Sequence, residues 1–314
     1  VREATAAARA ARCDGVVALG GGSALDAGKA VAALAATGAD PLEHLEVIGR
    51  GRPLAGPTLP FVAIPTTAGT GSEVTRNAVL GAAEAGVKAS LRSPLMLARL
   101  AIVDPDLLAG VPRPVLASSG LDALSQLVEP WLSARANPVT DALAREGIRR
   151  SARSLRRAFE AGADAAARED LAVASLLGGL CLANAGLGAV HGFAAPAGAM
   201  LGAPHGAVCA ALLVACLEVN HRALRQRGPG AAATERFAEL ARWVTGSPAA
   251  SVEDGLAWFR DLGRALGVPG LSAWGLDRAA IPALVERAKA ASSMRANAIA
   301  LSDAELTEIA ERSL

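Results

Sequence analysis

Residues 16–29 read VVALGGGSALDAGK. The β-branched and apolar run at 16–20 suits a short buried strand, three glycines follow, and helical periodicity starts at Ser23. Strand, glycine turn and helix in that order form a piece of a doubly wound α/β domain. The turn also carries chemistry. Glycines let backbone amides approach an anion, and the helix N-terminus adds free N–H groups and a positive dipole. Two plainer roles fit the same residues: Ser23 and Asp26 have the spacing of a capping box, and Lys29 fits a solvated helix face.

Outward from this turn, residues 2–12 read as a helix already under way at Val1. Strands are expected at 60–65 and 100–104, with a hairpin-like pair at 74–80 and 86–92. Pro105, Pro112 and Pro114 punctuate the chain, and no convincing strand follows. Helical periodicity covers 115–134, 137–160, 165–187, 205–224, 231–245, 251–266, 278–291 and 303–312. The expected organisation is an α/β dinucleotide-binding domain over residues 1–112 and an all-helical domain over 113–314. A doubly wound domain normally carries strands before its first glycine turn, so the first domain is expected to be partial.

Composition narrows the class. The chain has 314 residues, 52% hydrophobic and 19% charged, with a formal net charge of +1. That is a globular balance with no basic groove for nucleic acid. Cys13, Cys181, Cys209 and Cys216 form no Cys-x-x-Cys pair and read as free thiols in a reducing cytoplasm. Residues 171–217 contain no Asp, Glu, Lys or Arg yet hold two of the four histidines. This run is long enough to be weighed as a membrane span. Its apolarity comes mostly from Ala and Gly, it contains Asn184, Pro196 and Pro204, and its flanks show no basic bias. A buried helix pair is the better reading, and no membrane partner is expected.

Two further groups stand out. PTTAGTGSEVT at 65–75 is a hydroxyl- and glycine-rich loop directly after an expected strand. Ligands bind at such strand ends in open α/β sheets, and Thr66, Thr67, Thr70 and Ser72 offer donors to phosphate or ribose oxygens. A capped turn is the alternative. The second group is Asp122, Gln126, His191 and His205. Asp122 and Gln126 are four apart on a helical pattern and so share a face. A buried imidazole needs a partner, because an unpaired polar group in a dry interior costs roughly 1–3 kcal/mol. Hydrogen-bonded core histidines, and a helix-capping Asp122 after Ser118-Ser119-Gly120, are the plainer readings.

Taken together, these residues resemble the iron-containing alcohol dehydrogenase family. The markers occur in order: GGGSxxDxxK at 20–29, PTTxGTGSE at 65–73, IVDP at 102–105, GLDALxxxxE at 120–129, and PHG at 204–206. The resemblance implies a dehydroquinate synthase-like architecture, with a Rossmann-like N-terminal domain, a helical C-terminal domain and NAD or NADP in the cleft between them. It further implies a divalent metal, Fe²⁺ or Zn²⁺, beside the nicotinamide. Carried over by position, Gly21, Gly22 and Ser23 would hold the pyrophosphate with Asp26 close by. Thr66, Thr67 and Ser72 would line the cleft, and Lys88 would reach the ribose or nicotinamide. Asp122, His191 and His205 match three of the family's metal ligands.

Two positions depart from the family pattern. Gln126 stands where a fourth ligand, histidine, is usual, and a neutral amide oxygen is a poorer ligand than imidazole for these ions. Ala195 stands where the family usually has a further histidine. The expected activity is interconversion of a small alcohol and its aldehyde or ketone by hydride transfer, by a cytoplasmic homodimer. Without metal, His191 or His205 would donate the hydrogen bond or proton. One alternative is metal-independent reduction of an unsaturated keto acid, as in the related maleylacetate reductases, with Arg76 or Arg92 meeting the carboxylates. The other is a catalytically silent dinucleotide-binding protein.

Overall fold

The computed structural model describes residues 1–82, 87–162, 164–228 and 230–314. Its elements run α1 (Arg2–Ala10), β1 (Val16–Gly20), α2 (Gly22–Ala35), α3 (Pro41–His44), β2 (Phe61–Pro65), β3 (Asn77–Ala82), β4 (Val87–Arg92) and β5 (Leu100–Ala101). The helices α4 (Arg113–Leu132), α5 (Pro138–Glu160), α6 (Ala165–Ala185), α7 (Ala189–Leu201), α8 (His205–Arg227), α9 (Ala231–Thr245), α10 (Val252–Ala265), α11 (Ile281–Ala290) and α12 (Asp303–Arg312) follow. The strands β1, β2 and β5 form a parallel sheet in that order, with Val16 opposite Phe61 and Val62 opposite Leu100. The strands β3 and β4 form a separate antiparallel pair. Residue 86, where the second hairpin strand was expected to start, lies outside the described residues. The third parallel strand is shorter than the expected 100–104, because Asp104 accepts from the Asp106 amide and opens a 3₁₀ turn over Pro105–Leu108.

Helix α2 is covered on two sides. Leu25 and Ala32 pack with Ala18, Phe61 and Ala63 of the sheet. Ala30, Ala33 and Leu34 pack with Ala78, Ala89 and Leu91 of the hairpin. This double cover overturns two sequence readings. The helix starts one residue early, with Gly21 at its N-cap and no side-chain cap, so Ser23 and Asp26 form no capping box. Asp26 instead accepts from Ser72 Oγ at 2.5 Å and from the Val79 amide at 2.9 Å. Lys29 is fully buried rather than solvated. Its ammonium donates to Ser72 Oγ, Thr75 Oγ1 and the Asn77 carbonyl at 2.7–3.0 Å, which satisfies its three protons. Burial pushes it down to about 8 against the pull of Asp26 and Glu73.

The helical part has one continuous core. Its ends are set locally: Asn137 with Thr140, Ser251 with Asp254, and Ser302 with Glu305 form reciprocal capping boxes at α5, α10 and α12. The expected helix over 165–187 ends at Ala185, and a helix not expected from sequence, α7, occupies 189–201. The two meet at 102° across Gly186–Gly188. Glycines and Pro196 hid α7, since both disfavour helix interiors. Burial of Phe193, Ala194 and Ala197 to 0% exposure outweighs that weak local preference. By length and composition α8 is apolar enough to cross a bilayer, but it packs within the bundle with 67% of its apolar window buried.

The two parts approach closely at glycines of the 65–75 loop. A Cβ on Gly71, whose φ is 58°, would lie 2.4 Å from the Gly179 Cα in α6. A Cβ on Gly69 would lie 2.8 Å from the Ser119 Cβ in α4.

Two predictions follow from the environment of α2. A Cβ at Gly28 would lie 2.6 Å from Ala18 Cβ and 2.9 Å from Phe61. Gly28→Val should therefore cost about 1–3 kcal/mol by overpacking the helix against the sheet, read by urea denaturation. An undiminished midpoint refutes that packing. The second concerns Lys29, whose folded pKa of about 8 lies below its ordinary 10.5. Between those values the unfolded chain holds a proton that the folded chain has released, so this residue's contribution to stability rises with pH. The stability of wild type relative to Lys29→Met should climb from about pH 8 to 10.5; a flat difference would refute the burial of the charge.

Candidate metal and dinucleotide site

Helix α4 builds one wall of the site. Asp122, Gln126 and Glu129 lie at i, i+4 and i+7 on one face, and all three are buried. Asp122 lies in the third turn, so it caps no helix end. Helix α7 supplies His191 from its first turn, and α8 supplies His205 at its first residue. The Gly202–Pro204 break between them turns the chain so that both imidazoles face α4. Nε2 of His191 lies 3.3 Å and Nε2 of His205 3.7 Å from Asp122 Oδ1. The rings are 5.4 Å apart between centroids.

Sequence reasoning missed two members. Glu129 accepts from the Val190 amide at 2.7 Å, and its other oxygen lies 2.6 Å from His191 Nδ1. This bond fixes the ring with Nδ1–H on Glu129 and Nε2 turned toward Asp122, the arrangement that orients a histidine ligand from behind. Its signal was the seven-residue spacing from Asp122. The second is Cys209, expected to be an inert buried thiol. Its Sγ lies 3.8 Å from His191 Nε2 and 3.7 Å from His205 Nε2. Ligand atoms of Asp122, His191, His205 and Cys209 all fall within 4.8 Å of one another. The available signal was the i, i+4 spacing of Cys209 from His205.

The electrostatics favour a cation here. Burial alone would raise the Asp122 carboxyl, yet His205, His191 and the Gln126 amide hold it down at about 2. The Cys209 sulfur and Asp122 raise His205 to about 9 against burial. Burial opposes protonation of His191, but Cys209, Glu129 and Asp122 outweigh it and raise that group too. Both imidazoles thus hold protons strongly because they sit among acceptors. Gln126 is 3% exposed, and its Oε1 has no hydrogen-bond partner. A donor set of carboxylate, two imidazoles and sulfur, with one orphaned oxygen beside it, fits a divalent metal.

The dinucleotide candidates lie at the ends of β1 and β2. Gly21 and Gly22 face the hydroxyl loop so closely that a Cβ would lie 3.2 Å from Thr67 Oγ1 or 2.6 Å from Thr70 Cγ2, respectively. Ser23 is exposed at the N-terminus of α2, and Thr66 and Thr67 are half-buried. That terminus carries no side-chain cap, which leaves amides for an anion. Within the loop, Thr70 Oγ1 accepts from the Ser72 amide, so part of it is a capped turn as well. Asp26 and Ser72 are brought together but bond each other and Lys29. Lys88 stands apart, exposed on β4 opposite Gly81.

The hydroxyl loop joins the two groups. It touches the glycine turn through Thr67 and Thr70, and through Gly69 it touches Ser119, one turn before Asp122 on α4. On the other side, a Cβ at Gly206, next to His205, would lie 2.5 Å from the Ser118 carbonyl oxygen.

Comparison with known proteins finds matches to both parts of the chain. Residues 1–105 match the family described as iron-containing alcohol dehydrogenase, and residues 116–314 match the C-terminal part of the Fe-containing alcohol dehydrogenase family. The chain is 38% identical over 294 residues to 1,3-propanediol dehydrogenase of Klebsiella pneumoniae, covering 92% of this chain and 73% of that protein. Of another curated relative the alignment covers 47%. The structure of a 1,3-propanediol oxidoreductase superposes with a TM-score of 0.90 at 34% identity, covering 100% of this chain and 80% of that one. The structure of a sulfoacetaldehyde reductase from Bifidobacterium kashiwanohense in complex with NAD⁺ superposes with a TM-score of 0.86 at 29% identity, covering 99% and 79%. Markers, fold and matches agree over nearly the whole length, and the chain belongs to the iron-containing alcohol dehydrogenase family, oxidoreductases acting between alcohols and their carbonyl products.

Proposed function

We propose that this chain transfers hydride between NAD(H) or NADP(H) and a small alcohol or aldehyde, with a divalent metal, Fe²⁺ or Zn²⁺, held by Asp122, His191 and His205. The observation that carries the reading is the hydroxyl loop, which touches the glycine turn at one end and α4 beside Asp122 at the other. A dinucleotide anchored by its pyrophosphate at the turn and running along that loop brings its far end to the metal-binding cluster. The NAD⁺ complex of the Bifidobacterium reductase, whose structure superposes over nearly the whole chain, supports the coenzyme class.

In this reading Gly21, Gly22 and Ser23 contact the pyrophosphate, and Thr66 and Thr67 line the path. Asp26 and Ser72 shape it by bonding each other. Lys88 is the candidate contact to the ribose or nicotinamide, because its hairpin is clamped to α2 through Asp26 and Lys29. When bound, the metal polarises the carbonyl as a Lewis acid. His191 is held rigid by Glu129. The His205 side chain is 38% exposed, which leaves it the imidazole open to substrate. The apolar walls of α7 and α8 exclude water. Residues 1–112 and 113–314 act as two domains with the cleft between them. The free cysteines suit a cytoplasmic location, and a homodimer is the assembly to test by sedimentation.

Gly22→Val should push the hydroxyl loop away and weaken NADH or NADPH binding severely, read by nicotinamide fluorescence, while the helical part keeps its circular dichroism. Unchanged affinity refutes pyrophosphate binding at the turn. Glu129→Gln should keep the fold but release the His191 tautomer, lowering metal affinity on the order of 10–100-fold, read by metal content after dialysis. Equal retention in both proteins refutes the orienting role. A turnover screen of NADH and NADPH with short aldehydes tests the reaction itself, and no turnover with a fully metal-loaded chain overturns it.

A further inference from the structure

The usual fourth ligand of the cluster is replaced by Gln126, yet the space around Asp122, His191 and His205 holds a different donor. We infer that Cys209 is the fourth metal ligand of this chain, so that the site is a carboxylate–imidazole–imidazole–thiolate set that selects Zn²⁺ over Fe²⁺. The inference rests on the metal reading above and adds both the ligand and the metal preference.

Geometry carries it first. In a tetrahedral zinc site with bonds of about 2.05 Å to N or O and about 2.3 Å to S, neighbouring ligand atoms lie about 3.3 Å apart for N and O and about 3.6 Å for N and S. Here the Nε2–Oδ1 separations are 3.3 and 3.7 Å, and the Sγ–Nε2 separations are 3.8 and 3.7 Å. The His191–Asp122 edge has the tetrahedral length, the two sulfur edges are within about 0.2 Å of it, and the His205–Asp122 edge is about 0.4 Å longer. The remaining edges, imidazole to imidazole and sulfur to carboxylate, are within 4.8 Å.

Position and chemistry agree. Cys209 is 0% exposed and follows His205 by one turn of α8, so both side chains point to the same side. Cys181 and Cys216 are buried too, but neither joins the cluster. Glu129 aims His191 Nε2 inward. Gln126 offers only a neutral amide, and that amide also reaches Asp122. Thiolate and carboxylate together offset both charges of a divalent ion, which makes burial of the set affordable. Metal binding takes the sulfur as thiolate, with the thiol proton released to buffer as the S–metal bond forms. Soft thiolate donors favour zinc over iron, and Zn²⁺ already lies above Fe²⁺ in affinity for such sites.

The test uses the full chain, stripped with a chelator and titrated with Co²⁺. Cobalt in the site shows visible d–d bands, and a thiolate ligand adds a near-ultraviolet charge-transfer band. Wild type should show both. Cys209→Ser should keep the d–d bands, lose the charge-transfer band and bind on the order of tenfold more weakly or worse. Under anaerobic competition wild type should take Zn²⁺ ahead of Fe²⁺, and the variant should lose most of that preference. Visible bands without a charge-transfer band in wild type overturn the sulfur ligand while leaving the metal site standing. A charge-transfer band that survives in Cys209→Ser overturns it as well. No cobalt bands in wild type overturn the metal reading and this inference with it. If the variant fails to fold, the absence of a charge-transfer band in wild type still overturns the sulfur ligand, and its presence still supports it, since Cys209 is the cysteine of the cluster.

Discussion

A contact with no side chains in it holds this molecule's working parts in register. The loop at 65–75 lies against α6 at Gly71 and Gly179, so closely that a Cβ on Gly71 would lie 2.4 Å from the Gly179 Cα. Any side chain at either position would drive the loop away from the bundle. Gly71 is needed twice over, since its φ of 58° is also a conformation that residues with a Cβ rarely adopt. Everything proposed for the site depends on this approach. It brings the hydroxyls beside α4 and sets how far the end of β2 stands from Asp122.

The second constraint is charge in a dry interior. The α4 face carries Asp122 and Glu129, both buried, and among the described residues neither has an Arg or Lys partner. Glu129 is satisfied by the Val190 amide and His191. Among the described residues Asp122 is met by imidazoles and an amide, so its charge balance depends on what those rings carry. Protons on His191 and His205 supply that balance in the free protein, and a divalent ion held by the same residues would supply it in their place. The same reasoning explains why Lys29 is not a second site. It is a buried ammonium, but three protein acceptors already take its protons, and the result is a clamp between α2 and the hairpin.

The part of the architecture carried by local signals was legible in the sequence. The strand at 16–20, the helices at 231–245 and 303–312, and the change from strands to helices depend on periodicity, caps and prolines, all of which act within a few residues. The ordered motifs pointed to the family, and the Asp122, His191 and His205 group followed from a long uncharged run that holds two histidines. Tertiary structure alone decided the rest. Helix α7 forms against its own glycines and Pro196 because neighbouring helices bury it. Asp26 bonds across to Ser72 and Val79, and Lys29 is buried, because the hairpin folds over α2. Glu129 became the support of His191, and Cys209 a candidate ligand, only when α4, α7 and α8 crossed. Spacing along one helix shows which residues share a face, whereas what that face meets is set by partners distant in the chain.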